Sequence, residues 1–376
     1  MKKKFYVVFN NYSPDCAPIN RLLSYLKSWS QMDVEIVLVF MLPDPTYSRL
    51  TIKYDNVRVV YMWDNCKSRL YLLHHFLLFW YIHLFKTMLR TGDNVYLYSQ
   101  FFLAKKLLQR KDISVYMEIT EHPKASNPGH WPYKISHKSV ISVFKELKGV
   151  FVISTSLKNY LCNNGVDASK IRIVNMTVDT SRFDGVIKDI TSKPYVAYCG
   201  TVSNNKDGVD KLIYAFSSIK HKFPELYLYI IGYVSPNDEN VLLVKKLGIE
   251  DRVVFTGLVS YSEMPHFLIN AKILALSRPN NLQAQYGFPT KLGEYLLSSN
   301  PVVVTNVGDI PLFVKDGVNG MVAKPDDTNE FAKKIEWLLD HPEEAKRIGE
   351  NGRLLAIEQF NCLNEAPKIV NFIFCK

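Results

Sequence analysis

The 376-residue chain has no Asp-x-Asp, so the usual carboxylate pair for holding a metal-bound diphosphate is missing. No Gly-x-Gly occurs, which removes the glycine fingerprint of dinucleotide binding, and the P-loop and His-Glu-x-x-His motifs are absent too. Its six cysteines (Cys16, Cys66, Cys162, Cys199, Cys362, Cys375) form no Cys-x-x-Cys pair and lack the close histidine spacing of a zinc site. They read as reduced, mostly buried thiols of a cytoplasmic protein. Met1-Lys2-Lys3-Lys4 imitates the start of a signal peptide. Only Phe5 to Phe9 follows before Asn10-Asn11, far short of a secretory apolar core, and the run is better read as a first buried strand.

What is present is a globular composition, 47% hydrophobic and 22% charged, on a chain long enough for two domains of roughly 150 to 200 residues each. The charge is unevenly spread. Residues 1–190 hold 26 Lys plus Arg against 15 Asp plus Glu, or +11, and the remainder holds 20 against 21, or −1. An anionic partner is therefore expected on the first half: an acidic membrane surface or a pyrophosphate-linked acceptor, with nucleic acid not expected because no motif accompanies the charge.

Short apolar runs alternate with helical stretches along the chain. The first series is Phe5 to Phe9, Val34 to Phe40, Val57 to Tyr61, Val95 to Tyr98, Val115 to Glu118, Val150 to Ile153 and Ile171 to Val174. A second starts at Tyr195 to Cys199 and continues through Leu226 to Ile231, Val253 to Phe255, Ile273 to Leu276, Val302 to Thr305 and Met321-Val322. Such runs predict parallel strands covered on both faces, hence two Rossmann-like α/β domains whose sheets face a central cleft. The expected division is 1–188, 189–358 and a closing segment 359–376 that returns to the first domain, with the join inside Asp184 to Pro194. Arg69 to Arg90 is the most apolar stretch. Its three histidines argue against a membrane span and leave a buried helix or an interfacial helix.

Ligands of such sheets sit at the carboxyl ends of strands, so the loops there hold the candidate residues. Gly200 ends one strand and precedes a polar loop with Lys206, then Asp207-Gly208 opening a helix. Backbone N–H groups and one ammonium make an anion site, and a solvated lysine in an ordinary turn is the alternative. Arg252 to Val259 runs a strand into a Gly turn. Gly287, Phe288, Pro289, Thr290 and Lys291 set up a helix start that favours a phosphate, and Glu294 lies one turn inside it, placed to accept hydrogen bonds from a ribose diol.

The succession Gly200…Lys206-Asp-Gly, Phe255-Thr-Gly, Gly287-Phe-Pro-Thr-Lys-Leu-Gly-Glu-Tyr-Leu, Asn300-Pro-Val-Val-Val-Thr-Asn-Val-Gly and Asp316-Gly-Val-Asn-Gly resembles the family 4 retaining glycosyltransferases of the GT-B fold. The bacterial branch that builds capsule, O-antigen or exopolysaccharide is the nearest in look. The resemblance covers about residues 195 to 355. It implies a metal-independent enzyme moving a sugar from a UDP- or GDP-sugar to a saccharide acceptor carried on polyprenyl diphosphate, at the inner face of the cell membrane. Lys206 would hold the donor diphosphate, Glu294 the ribose, the amides around Gly287 to Thr290 the distal phosphate, and Val259 the base.

In the first half, Val150-Phe-Val-Ile-Ser154 and Val174-Asn-Met-Thr-Val-Asp179…Arg182-Phe183 are similar to the family's strand and loop before the domain join. Tyr116 to Pro123 resembles the segment whose histidine faces the donor sugar, which implies that role for His122, with Glu118 and Glu121 as weaker candidates. Acceptor contacts are expected from Asn10 to Arg21, where the family has a Gly-Gly loop; Asn20, Arg21 and Glu121 are the candidates.

The chain departs from the family twice. Thr201 stands where an Arg usually follows the first glycine, and Tyr286 stands where a Glu is usual. Arg278, at the end of the preceding strand, is expected to replace the missing cation, and Gln283, Gln285 or main chain to bind the sugar hydroxyls. Two other classes fit the same motifs: a GT-B-like sugar-nucleotide epimerase and a non-catalytic sugar-nucleotide-binding subunit.

Overall fold

The computed structural model describes residues 3–14, 16–66, 70–126, 136–189, 191 and 193–374. Arg69, the first residue of the long apolar stretch, and Cys375 lie outside the described residues.

The chain divides into two compact units, one of residues 1–175 with 362–376 and the other of residues 176–361. Among the described residues of the first unit, seven parallel strands run β1 (Lys3–Phe9), β2 (Val34–Phe40), β3 (Val57–Tyr61), β4 (Asn94–Tyr98), β5 (Ser114–Ile119), β6 (Gly149–Val152) and β7 (Ile171–Ile173). Their spatial order is β3-β2-β1-β4-β5-β6-β7. The second unit has six described parallel strands: β8 (Tyr195–Cys199), β9 (Tyr227–Ile231), β10 (Val253–Gly257), β11 (Ile273–Leu276), β12 (Val302–Thr305) and β13 (Met321–Ala323). Here the order is β10-β9-β8-β11-β12-β13. Central strands such as Val302–Thr305 are buried throughout, which is why they read as unbroken apolar runs rather than alternating ones.

Helices cover the sheets by amphipathic spacing. In Val209–Ile219 the residues Val209, Leu212, Ile213, Phe216 and Ile219 recur at the helical period and are buried. Truncating one of them, as in Leu212→Ala, leaves a cavity at a cost of about 2–5 kcal/mol.

Both sheets reverse strand order once, between β1 and β4 and between β8 and β11. The carboxyl ends flanking such a point form the crevice where this class of sheet binds ligands.

Residues 176–188 pack with the second unit rather than the first, earlier in the chain than the expected join. Gly293 explains part of this, because a Cβ there would lie 2.2 Å from Met176 Cε and 2.4 Å from Val178 Cγ1. The last residues belong to the first unit. Trp29 Nε1 donates to Ala366 O at 2.8 Å, and Phe374 meets Phe5 edge-on at 5.9 Å between ring centres.

The apolar stretch after residue 69 forms two helices, Tyr71–Phe76 and Leu78–Met88, and among the described residues no helix is long and apolar enough to cross a membrane. One face is buried through His74, Leu78, Tyr81, Ile82 and Phe85, with His74 Nδ1 2.6 Å from Tyr81 Oη. The other leaves Leu70, Leu72, Leu73, Phe76, Phe79 and Trp80 exposed, Phe76 at 81%.

Candidate functional site

At the carboxyl end of β8, Gly200 N donates to Ile231 O at 2.8 Å, and the chain enters a short helix, Asn204–Asp207, capped by Ser203. Gly208 ends it at φ +65°, and a Cβ there would lie 2.1 Å from Ser277 O, so only glycine lets this turn sit against the end of β11. Ser277 Oγ donates to Gly208 O at 2.7 Å, joining the two loops. Lys206 is half-buried on this helix, and Thr201 is exposed beside it.

Asp207 is the residue around which the site is organised, and it carries no assigned role in the sequence reading. Its Oδ2 accepts from Lys291 Nζ at 2.5 Å and from Tyr198 Oη at 2.8 Å, and its Oδ1 lies 3.6 Å from Arg278 Nε. Burial by itself would raise the Asp207 carboxyl. Lys291 and Arg278, with the two hydrogen bonds, outweigh that and hold it below the ordinary carboxylate range. Burial and the neighbouring Asp207 charge push the Tyr198 phenol well above its ordinary value, so it stays a donor.

Arg278 is 2% exposed, and its Nε also donates to Lys206 O at 3.3 Å. Its guanidinium is thus buried against the loop rather than standing in it at the position of Thr201. It sits behind the Lys206 helix, anchoring that helix through Asp207 and a carbonyl. Lys291 is the cation nearest Gly200: its Nζ lies 2.6 Å from where a Gly200 Cβ would be.

Gly287, Phe288 and Pro289 are buried and lead through Thr290 into the helix Lys291–Leu297. Phe288 packs edge-on to Phe313 at 5.5 Å. Lys291 and Glu294 are three apart on this helix and share a face. Tyr295 Oη accepts from Cys199 N at 2.6 Å, tying the helix to the end of β8. The segment before it contains a short helix, Leu282–Tyr286, which buries Ala284 and leaves Gln283 and Gln285 half-buried. Val259 is half-buried just after β10.

Glu294 is engaged by Arg182, from the motif Asp179…Arg182-Phe183. Arg182 Nη1 donates to Glu294 Oε1, and Arg182 Nη2 donates to Tyr261 O. Burial raises the Glu294 carboxyl and the Arg182 charge opposes the rise.

In the first unit, His122 follows β5 and is buried. Its Nδ1 accepts from Lys124 N at 3.2 Å, and its ring lies 4.4 Å from that of Tyr160. Burial, then repulsion from Lys124 and His137, pushes it down to about 4, so it is neutral at pH 7. Glu121 and Asn20 are half-buried.

Arg21 and Glu118 require a correction. Arg21 is 3% exposed, its Nε donates to Glu118 Oε1 at 2.6 Å, and its other nitrogens donate to Val174 O at 2.9 Å and Asn175 O at 3.0 Å. Tyr25 and Tyr96 also donate to Glu118. With its guanidinium committed inside the unit, Arg21 is a structural anchor and does not meet an acceptor.

Residues 181–355 match the family model described as "Glycosyl transferases group 1". Among curated relatives, the chain is 26% identical over 220 residues to the MMP alpha-(1->4)-mannosyltransferase of Mycolicibacterium hassiacum, covering 58% of this chain and 52% of that protein. The chain spans about half the length of the curated relatives it matches. Among solved structures, it is similar to sucrose-phosphate synthase from Thermosynechococcus elongatus, with TM-score 0.78, 15% identity and 98% of each chain covered. It is also similar to Anabaena HepE in complex with UDP, with TM-score 0.73, 15% identity and the same coverage. At these identities the likeness shows the fold: two parallel-sheet Rossmann-like domains with GT-B glycosyltransferases as neighbours.

Proposed function

We propose that this chain, which carries a glycosyltransferase group 1 domain at residues 181–355, is a retaining, metal-independent sugar transferase of the family 4 branch that builds bacterial surface polysaccharide. Its donor is a UDP- or GDP-sugar. Its acceptor is a saccharide on polyprenyl diphosphate. The observation that carries the reading is the arrangement at the ends of β8 and β11, where Lys291 overhangs Gly200, Asp207 joins Lys291 to the Lys206 helix, and Glu294 lies one turn further along. A lysine-bearing helix, the Lys291 ammonium and a carboxylate along one stretch of the site support a diphosphate and a ribose bound in succession.

In this reading the bond from the sugar carbon to the diphosphate oxygen breaks, and the acceptor hydroxyl forms the new bond on the same face. The acceptor's proton goes to the departing diphosphate oxygen, so no protein nucleophile is needed. Lys206, Lys291 and the amides around Gly287 to Thr290 stabilise the leaving charge, with Val259 reading the base. His122, neutral at pH 7, is assigned as a hydrogen-bonding partner of the donor sugar, and Asn20 and Glu121 remain the acceptor-side candidates. Metal independence rests on the absence of Asp-x-Asp.

The exposed face of Leu72, Phe76, Phe79 and Trp80 supports contact with an anionic membrane at the cytoplasmic side. Lys106 Nζ stands 5.9 Å from the Phe79 ring and 5.6 Å from the Phe102 ring, adding charge at the edge of this apolar patch. Flotation with anionic liposomes at low salt tests this part: the protein should float, and Phe76→Ser should stay behind.

The donor assignment is tested by thermal shift with UDP-, GDP- and ADP-sugars in EDTA. A UDP- or GDP-sugar should raise Tm by mass action. No shift with any of them contradicts the reading.

A further inference from the structure

Arg182 reaches the proposed ribose carboxylate from a segment with no expected role in nucleotide binding. It sits in the turn Thr180–Phe183, whose start is capped by Asp179 accepting from Ser181 N at 3.0 Å, and Phe183 anchors the turn in the core. Upstream, Val178 N donates to Phe360 O at 2.8 Å, while Met176 and Val178 pack on Gly293, the neighbour of Glu294. The segment is therefore seated on the same helix that carries Glu294. The guanidinium carbon lies 3.3 Å from the centre of the Tyr261 ring, so ring, carbonyl and carboxylate fix its plane from three sides.

We infer that Arg182 is a positioning residue for nucleoside-diphosphate binding: it keeps the Glu294 carboxylate charged and holds Oε1, turning Oε2 toward the ribose diol. The inference rests on the reading of Glu294 as the ribose acceptor.

The physical need for it is clear from what surrounds Glu294. Burial disfavours the carboxylate form. Among the described residues, Arg182, the Cys199 thiol and the Tyr295 phenol interact with it, and Lys291 lies one turn away on the same helix. Cys199 is pushed up to about 12 by burial and then by the Glu294 charge, and Tyr295 well above its ordinary value by burial, so both are neutral at pH 7. Lys291 pairs with Asp207, and the charge that opposes the burial of Glu294 is that of Arg182. Among the described residues Arg182 is thus the cation that pairs directly with Glu294, and a protonated Glu294 would put a hydroxyl where the diol needs an acceptor.

The test is calorimetric titration of the full chain with UDP and GDP from about pH 5 to about pH 8, for wild type, Arg182→Gln, Arg182→Lys and Glu294→Gln. Arg182→Gln should weaken binding by about 10-fold near neutral pH and move the acid limb of the binding profile to higher pH. Arg182→Lys, which keeps the charge, should keep the limb in place, and Glu294→Gln should abolish it. A purely structural arginine would lower affinity equally at every pH, so an Arg182→Gln limb that overlays wild type overturns the inference, as does tighter binding. Titration with 2'-deoxy-UDP separates the two layers. If wild type does not discriminate against the deoxy nucleotide, or binds neither UDP nor GDP, the ribose reading falls and the inference with it. If wild type discriminates while the limb stays put, the inference alone falls.

Discussion

The Lys291 ammonium lies 2.5 Å from Asp207 Oδ2, joining the first turn of one helix to the last residue of another across 84 positions of sequence. Asp207 also faces Arg278, whose side chain is buried. Removing the carboxylate leaves that buried cation without its counter-charge, so Asp207→Ala should cost about 3–5 kcal/mol in denaturant unfolding. A loss under about 1 kcal/mol would show that the pair does not hold the loops.

Arg278 holds the Lys206 helix from behind, through Lys206 O and Asp207. Arg278→Ala should raise donor KM or lower kcat by about 10-fold, by freeing the Lys206 helix. Wild-type kinetics in that variant would remove Arg278 from the account.

His122 makes the fold acid-sensitive. Its folded value is about 4 against an ordinary 6.5, so the unfolded chain binds the proton first as pH falls. The His122 contribution is fully present above about pH 6.5 and is lost progressively down to about pH 4. His122→Phe should flatten that part of the stability profile in urea unfolding at stepped pH, and should also lower turnover. An unchanged acid slope contradicts the buried neutral imidazole.

Glu118 balances Arg21 inside the first unit, and Glu118→Ala should destabilise by about 3–5 kcal/mol. Arg21→Ala should likewise reduce Tm, while leaving the acceptor KM of the surviving folded fraction unchanged. A selective rise in acceptor KM would restore Arg21 to the acceptor side.

The strands were legible because their signal is local. Tyr195–Cys199, Ile273–Leu276 and Val302–Thr305 are continuous apolar runs ended by polar or Gly residues, and the structure ends them where the sequence does. Helices with weak apolar periods were not. Pro342–Gln359 carries Gly349 and Gly352 and buries few side chains, and Leu282–Tyr286 depends on Asn281 accepting from Ala284 N at 3.0 Å. The stretch after residue 69 breaks at Leu77, where nothing in composition marks a stop.

The site was legible as motifs and illegible as pairings. Lys291 opens its helix and Glu294 lies in the first turn, as the motif predicts, but Arg182 meets Glu294 across 112 residues, and only the motif Asp179…Arg182-Phe183 points to that segment. Arg21 is illegible for the same reason. Its burial is created by Glu118, 97 residues away, and no local pattern distinguishes it from a surface arginine.

Sugar transfer is tested by a radiolabelled assay with the purified chain. UDP- and GDP-sugars labelled in the sugar are incubated in EDTA with a saccharide linked to polyprenyl diphosphate, and the lipid fraction is counted. Label should be joined to the acceptor with the anomeric configuration of the donor retained. Donor consumed equally without acceptor, or bound without any turnover, would contradict sugar transfer.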